Sequence, residues 1–295
     1  MSAFKKTLSI ILLFAMLVLL VMLPKYASSI LISSGASDWY KPKNEPFTGR
    51  ITVWHLVGFK PYEGSYSLWL EKYARRIEKR HFGVYLELEA MTVDEARERI
   101  SKGEAADIIS FPAGALYEGE LRDLSISGAK GQGSDTDNLM GTAIPIAASC
   151  ELILYYPEGD SIENQEPNET LAKNYSFEQF KSKKAPCCIT DARGAGDMQR
   201  LLSNGKADYF SVKAFASDTS LVQFIGIHRD SKAEITALCT EFFELLTSEN
   251  AQIELAELGL LPLASQTNVN YEQSFLTDAY RLITQSDGVK LEPFR

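Results

Sequence analysis

Few residue types in this chain could do chemistry, and most lie in loops. Phe59 and Tyr62 stand in the segment FKPYEG, and Tyr117 follows Pro112 in a second turn. Both turns follow apolar runs that read as strands of an open α/β sheet, where ligands bind outside the carboxyl ends of strands. Phe59, Tyr62 and Tyr117 would offer aromatic planes to a ligand, or else cap the core and decorate a loop. Trp69 lies at helical spacing with Tyr66, Leu70, Tyr73 and Ile77, so it belongs to a buried stripe. His55 ends the first apolar run and would either orient the following loop, touch ligand, or sit satisfied in the core.

Asp191-Ala192-Arg193-Gly194-Ala195-Gly196-Asp197 is a polar, glycine-rich stretch. Arg193 beside a helix N-terminus would suit a carboxylate or phosphate. The plainer expectation is a turn in which Asp197 caps the next helix. The stretch lacks the GxxxxGK[ST] of a phosphate-binding loop, and no GxSxG occurs. No histidine stands by a credible serine or cysteine nucleophile, so no catalytic set emerges and no enzyme is expected. Cys150, Cys187, Cys188 and Cys239 show no paired CxxC spacing, and the three histidines form no ligand cluster, so neither metal nor cofactor is expected. Cys187 and Cys188 sit in an apolar run and read as buried strand thiols. In an oxidising compartment a disulfide from Cys150 to one of them is the alternative.

The elements that must position these residues begin at Arg50. Up to Pro112 the pattern is strand, helix, strand, helix, strand. ITVWH is apolar nearly throughout, as in a strand buried on both faces of a parallel sheet. Ser65 is placed to cap the first helix and Gly83 closes it; Val84, Leu86 and Leu88 then alternate with polar residues. Asp94 or Thr92 caps a short helix that Gly103 ends, and Ile108–Phe111 is the third strand. Leu121–Thr142 reads as loop. Ala143–Tyr156 is β-like and long enough to run from one lobe into another. Ser176 with Gln179 has capping-box spacing. Cys187–Thr190 and Leu221–Ile227 read as strands; Ser231–Leu246, Glu249–Leu258 and Tyr271–Thr284 read as helices.

The formal charge of the 295-residue chain is −9. Residues 1–37 carry Lys5, Lys6 and Lys25 and no acid, so the remainder stands at −12. Such a domain is a poor partner for nucleic acid. Lys5 and Lys6 precede LSIILLFAMLVLLVML, and residues 7–24 hold no charge. That length lies between a signal-peptide core and a short membrane span, and the flanking lysines put the rest of the chain outside the cytoplasm. Cleavage at Ala27-Ser28-Ser29 or Ser34-Gly35-Ala36 and retention as a membrane anchor both stay open. No cysteine precedes Cys150, so there is no lipobox. Residues 38–46 read as a linker.

Three stretches carry a family resemblance. ITVWH with its following helix and strand is similar to the opening unit of the extracellular solute-binding proteins of bacterial ABC importers, of the sugar-binding type. RISKGEAADIISFPAG resembles their third strand, with Gly-x-x-x-Asp-Ile before a cleft loop. FIGIHRDSKAEITALCTEFFELLTSENAQIELAELGLLPL resembles their closing signature, with Glu-Asn-Ala-Gln and then Gly-x-x-Pro. The resemblance implies an α/β, two-lobed periplasmic-binding-protein type II fold, with open mixed sheets flanked by helices. Residues 47–146 plus 221–295 would form lobe 1, and residues 147–220 a reduced lobe 2.

It further implies capture of a small polar solute, a carbohydrate, for delivery to an ABC permease, by a monomer. A tethered sensor or interaction module on the same fold is the alternative. Phe59, Tyr62, Pro112 and Tyr117 would then face the cleft, and the three aromatics would stack on a sugar ring. Ser149, Asp218 and Thr219 would lie at the crossings between lobes and bond ligand hydroxyls, with Arg193 on the small lobe.

Overall fold

The computed structural model describes residues 47–117, 119–122, 124, 142–157, 169–214, 221–264, 269, 271–285 and 293–294. The leader or anchor at 1–37, the linker at 38–46, Asp218 and Thr219 lie outside them. Among the described residues, no helix is long and apolar enough to cross a membrane.

Strand β1 (Gly49–Leu56) is buried continuously over its last four residues. It pairs in parallel with β2 (Val84–Met91) on one side and β3 (Ile108–Pro112) on the other. Helix α1 (Tyr66–Arg80) connects β1 to β2. Its cap is the Ser65 hydroxyl, which accepts from the Leu68 N–H, and it buries Tyr66, Trp69, Leu70, Tyr73 and Ile77 as their spacing predicts. Helix α2 (Val93–Ser101) is capped by Thr92, settling the choice between Thr92 and Asp94. The Asp107 carboxylate then accepts from both the backbone N–H and the hydroxyl of Thr52, tying the start of β3 to β1.

The sheet continues with antiparallel neighbours, in the order β2-β1-β3-β8-β4-β9. Here β4 is Ile144–Ala148, β8 Val222–Ile227 and β9 Leu261–Pro262. The long apolar run at 143–156 breaks into two strands at Ser149-Cys150. The first half, β4, stays in this sheet. The second half, β5 (Glu151–Tyr155), is the centre of a separate antiparallel sheet, β6-β5-β7. Strand β6 is Cys187–Asp191 and β7 is Ser211–Ala214. Helices α3 (Glu169–Ala172), α4 (Phe177–Lys181) and α5 (Ala192–Ser203) accompany the smaller sheet. Helix α4 carries the full reciprocal capping box of Ser176 and Gln179.

All four cysteines are free and buried, so the expected alternative of a disulfide from Cys150 gives way. The register pairs Leu154 with Cys188 and Tyr155 with Cys187. Cys150 therefore sits at the other end of β5, about 13 Å along the strand, beyond the Cα separation a disulfide spans. Burial pushes Cys150 and Cys188 each up to about 12, which leaves them inert thiols.

Helices α6 (Thr236–Thr247) and α7 (Glu249–Glu257) pack against α1. The Trp69 Nε1–H donates to the Ala251 carbonyl at 3.3 Å, and the Tyr73 hydroxyl to Glu254 at 2.8 Å. Gln252 is fully buried. Its amide donates to the Leu246 carbonyl and accepts from the Ala264 N–H, joining the end of α6 to the chain beyond β9. Helix α8 (Ser274–Gln285) follows.

Candidate functional site

The β1–α1 loop, residues 57–65, is shaped by close approach. A Cβ on Gly58 would lie 2.4 Å from the Pro112 Cβ, so the loop backbone can reach β3 only without a side chain there. Gly64 adopts φ +65°, turning the chain into the Ser65 cap. Between them Tyr62 points inward and is only 9% exposed. Its ring lies 6.0 Å from that of Phe275. A Cβ on Gly259 would come within 2.3 Å of the Tyr62 Cβ, and one on Gly196 within 3.1 Å of the ring. Tyr62 is thus wedged between the turn after α7 and helix α5.

The glycine-rich stretch at 191–197 corrects an expectation. It is not a turn capped by Asp197 but the first two turns of α5. The cap is Asp191, whose carboxylate accepts from the Gly194 N–H at 2.9 Å. Asp197 instead pairs with Arg200 one turn on. The glycines serve proximity: a Cβ on Gly194 would lie 1.9 Å from the Thr190 hydroxyl, and Gly196 faces Tyr62. Arg193, in the first turn, reaches across and donates from Nη2 to the Gly64 carbonyl at 2.9 Å. Its Nε is buried without a partner. Tyr62 and Arg193, nominated separately from the sequence, therefore meet where the β1–α1 loop touches α5.

Beneath the loop lies a buried polar cluster. His55 and Ser110 face each other across β1 and β3, with Nδ1 to Oγ at 3.4 Å. The Gln223 amide on β8 donates to the Ser110 hydroxyl at 3.0 Å and to the Leu56 carbonyl at 3.1 Å. The Tyr66 ring lies 4.9 Å from His55, and its hydroxyl is buried without a hydrogen-bond partner. Burial holds the His55 imidazole down to about 4, so it is neutral near pH 7. Burial likewise raises the Tyr66 phenol. Sequence reasoning named His55 but missed Ser110 and Gln223. The available signal was a single polar residue inside each of two apolar strands, IISFP and VQFIGI.

The remaining nominated residues scatter. Pro112 is buried at the end of β3, against Gly58. Phe59 is half-buried on the loop. Tyr117 is 54% exposed, and its backbone N–H is held by Glu120. Ser149 sits where the chain leaves the six-stranded sheet. Its N–H donates to the Leu221 carbonyl at 2.9 Å, and its hydroxyl is buried without a partner. Among the described residues, no group of His, Cys, Asp and Glu is arranged to hold a metal ion.

No family model matches the chain, and no curated protein matches its sequence. Solved structures do match. A protein determined with mannotriose bound is 10% identical, with a TM-score of 0.58 over 83% of this chain and 90% of that one. A maltodextrin-binding protein from L. casei BL23, without ligand, is 11% identical, with a TM-score of 0.53 over 82% and 87%. A two-component system protein that mediates signal transduction is 12% identical, with a TM-score of 0.53 over 77% and 91%. At these identities the likeness concerns the fold, and the fold is the two-lobed, mixed α/β periplasmic-binding-protein type II fold.

Proposed function

We propose that this chain is an extracytoplasmic solute-binding protein that captures a small polar solute, a carbohydrate, between its lobes and delivers it to an ABC importer. Lobe 1 comprises residues 47–146 and 221–295, and lobe 2 residues 147–220. The observation that carries the reading concerns unsatisfied groups. Three buried side-chain polar atoms lack a partner among the described residues: Tyr66 Oη, Ser149 Oγ and Arg193 Nε. Two of them belong to residues nominated for the cleft. A buried donor without an acceptor costs about 1–3 kcal/mol, and a ligand hydroxyl would recover it. The fold of the mannotriose-bound and maltodextrin-binding neighbours supports the class of ligand.

Ligand entry requires the β1–α1 loop to part from α5, since Tyr62 and Arg193 now engage the opposite lobe. Tyr62 then becomes available for stacking, with Phe59 and Tyr117 at the margin. That contact also favours a second reading. Lobes that hold each other without ligand suit a tethered sensor, whose closure signals to a protein partner; one neighbour in fold is a signal-transduction protein.

A thermal-shift screen of the full chain against maltodextrins, manno-oligosaccharides, amino acids and small anions tests the proposal. A rise in melting temperature with one sugar class, lost in Arg193→Ala and Ser149→Ala, is expected. A folded protein with no shift across the sugars sinks the carbohydrate reading, and a response to carboxylates alone reassigns the site around Arg193.

A further inference from the structure

The outward face of α1 differs in charge from the acidic domain that carries it. Leu68, Lys72, Arg75 and Lys79 recur at helical spacing, and all four are exposed. Lys72, Arg75, Arg76 and Lys79, together with Leu68 and Glu71, line an open groove of about 490 Å3. Beyond the end of the helix, at the turn into β2, Phe82 is 99% exposed and Tyr85 64%. Scattered apolar side chains are ordinary on a protein surface, but these two follow directly on the cationic end of one helix.

The carboxylates near this face are drawn inward. Glu254 of α7 pairs with Lys72 at 2.8 Å, and Glu241 of α6 with Arg80 at 3.0 Å. Their side chains are 27% and 29% exposed, against 51% and 53% for the two cations. Arg75 likewise stands further out than its partner Glu71. Glu78 turns aside to accept from the Leu86 N–H on β2 at 2.8 Å. Lys79 forms no ion pair among the described residues. The outermost layer of charge is therefore positive, although the domain stands near −12. The covalent path of the chain leads to the same place. The Gly49 N–H donates to the Gly83 carbonyl at 2.8 Å, so β1 begins directly beside Phe82. The uncharged apolar run 7–24 ends at Pro24, and the chain from there to Gly49 reaches at most about 90 Å.

We infer that the outward face of α1 and the Phe82 turn dock on an anionic lipid surface. Phe82 and Tyr85 enter the interface, and Arg75, Arg76 and Lys79 lie among the headgroups. Aromatic side chains gain by leaving water at headgroup depth, and basic residues beside them gain from the negative surface potential. A patch of this size adds to an apolar segment as the second of two signals. With residues 7–24 in the same bilayer, the patch meets the surface at high effective concentration, so a weak contact suffices. The acidic remainder of the domain is repelled, which fixes the orientation. Phe82 lies at the amino ends of β1 and β2, so the β1–α1 loop sits at the far end and stays clear of the lipid. The inference rests on residues 7–24 entering a bilayer and not on the carbohydrate reading.

Hydrogen exchange of the full chain reconstituted in vesicles tests it, in phosphatidylcholine alone and with about 30% phosphatidylglycerol. Flotation first establishes that both kinds of vesicle hold the chain. Exchange across the Phe82 turn should be roughly fivefold slower in the anionic vesicles than in the neutral ones, and the difference should shrink in about 0.5 M salt. Phe82→Ser, and Arg75→Gln combined with Lys79→Gln, should each abolish the difference and leave the melting temperature in place. Equal exchange in the two lipids overturns the inference, as does a difference that survives both variants. Slowing that appears without lipid and grows with protein concentration overturns it too and assigns the face to a second copy of the chain. A chain that floats with neither vesicle also overturns it, and leaves the carbohydrate proposal standing.

Discussion

At the scale of single residues, burial decides what the polar side chains can do. His55 is 2% exposed, and burial lowers its imidazole from 6.5 to about 4. In the unfolded chain it takes up a proton near pH 6.5; in the folded protein it resists until about pH 4. The unfolded state therefore binds more protons in this window, and stability falls as pH drops through it. The loss is about 3 kcal/mol. His228 is lowered by burial as well and acts in the same direction. Glu241 and Glu254, both held below the usual carboxylate range by their basic partners, add to the loss only below about pH 4.5. Urea denaturation between pH 7 and 4.5 isolates the histidines. His55→Gln should flatten most of that slope, and an unchanged slope would remove His55 from the account.

Gly259 is a second case at this scale. It stands at φ +72° with the Tyr62 Cβ in the space its own Cβ would need. Gly259→Ala should cost about 2 kcal/mol or more, through strain and collision together. Its urea midpoint against that of the exposed Gly103→Ala, also at positive φ but in open space, separates the two contributions.

At the scale of elements, local signals were largely legible. The stripe of α1 and the caps at Ser65 and Ser176 follow from spacing alone, because a helix repeats every 3.6 residues and its first turn needs acceptors; at α2 spacing left Thr92 and Asp94 open, and the structure chose Thr92. Helix α5 shows where this stops. Its two glycines argue locally for a turn, yet Ala192–Ser203 is helical, because Asp191 caps it and because its glycines let it lie against Thr190 and Tyr62. Asp191→Ala should therefore destabilise the protein by about 1 kcal/mol, visible as a lower urea midpoint, and Asp197→Ala by much less.

At the scale of the whole molecule, the proposed working cycle turns on the contact between the β1–α1 loop and α5. Arg193→Ala removes one hydrogen bond across it, worth about 1 kcal/mol, so the separated form should gain roughly fivefold in population. Gly196→Ala should act in the same direction by pressing on Tyr62. Small-angle scattering of the two variants should give a larger radius of gyration than the parent chain, and identical curves would show that the contact holds nothing closed.

The resemblance to a family implied the class of fold, and the amino-acid sequence by itself determined most of the elements and their order. Those depend on periodicity, caps and breakers, which act within a few residues. It also singled out Tyr62 and Arg193, because loops after strands and basic residues at helix starts can be recognised locally. What only the tertiary structure decided are partnerships between distant residues. Arg193 finds Gly64 across 129 positions, Gln223 finds Ser110 across 113, and Trp69 finds Ala251 across 182. Cys150 misses Cys188 although it directly precedes β5, the neighbour of the strand that carries Cys188, since strand register, not sequence distance, sets which side chains meet. The path of the chain through the two sheets is a collective result of packing, and only that path turns glycines into points of contact and isolated polar residues into a site.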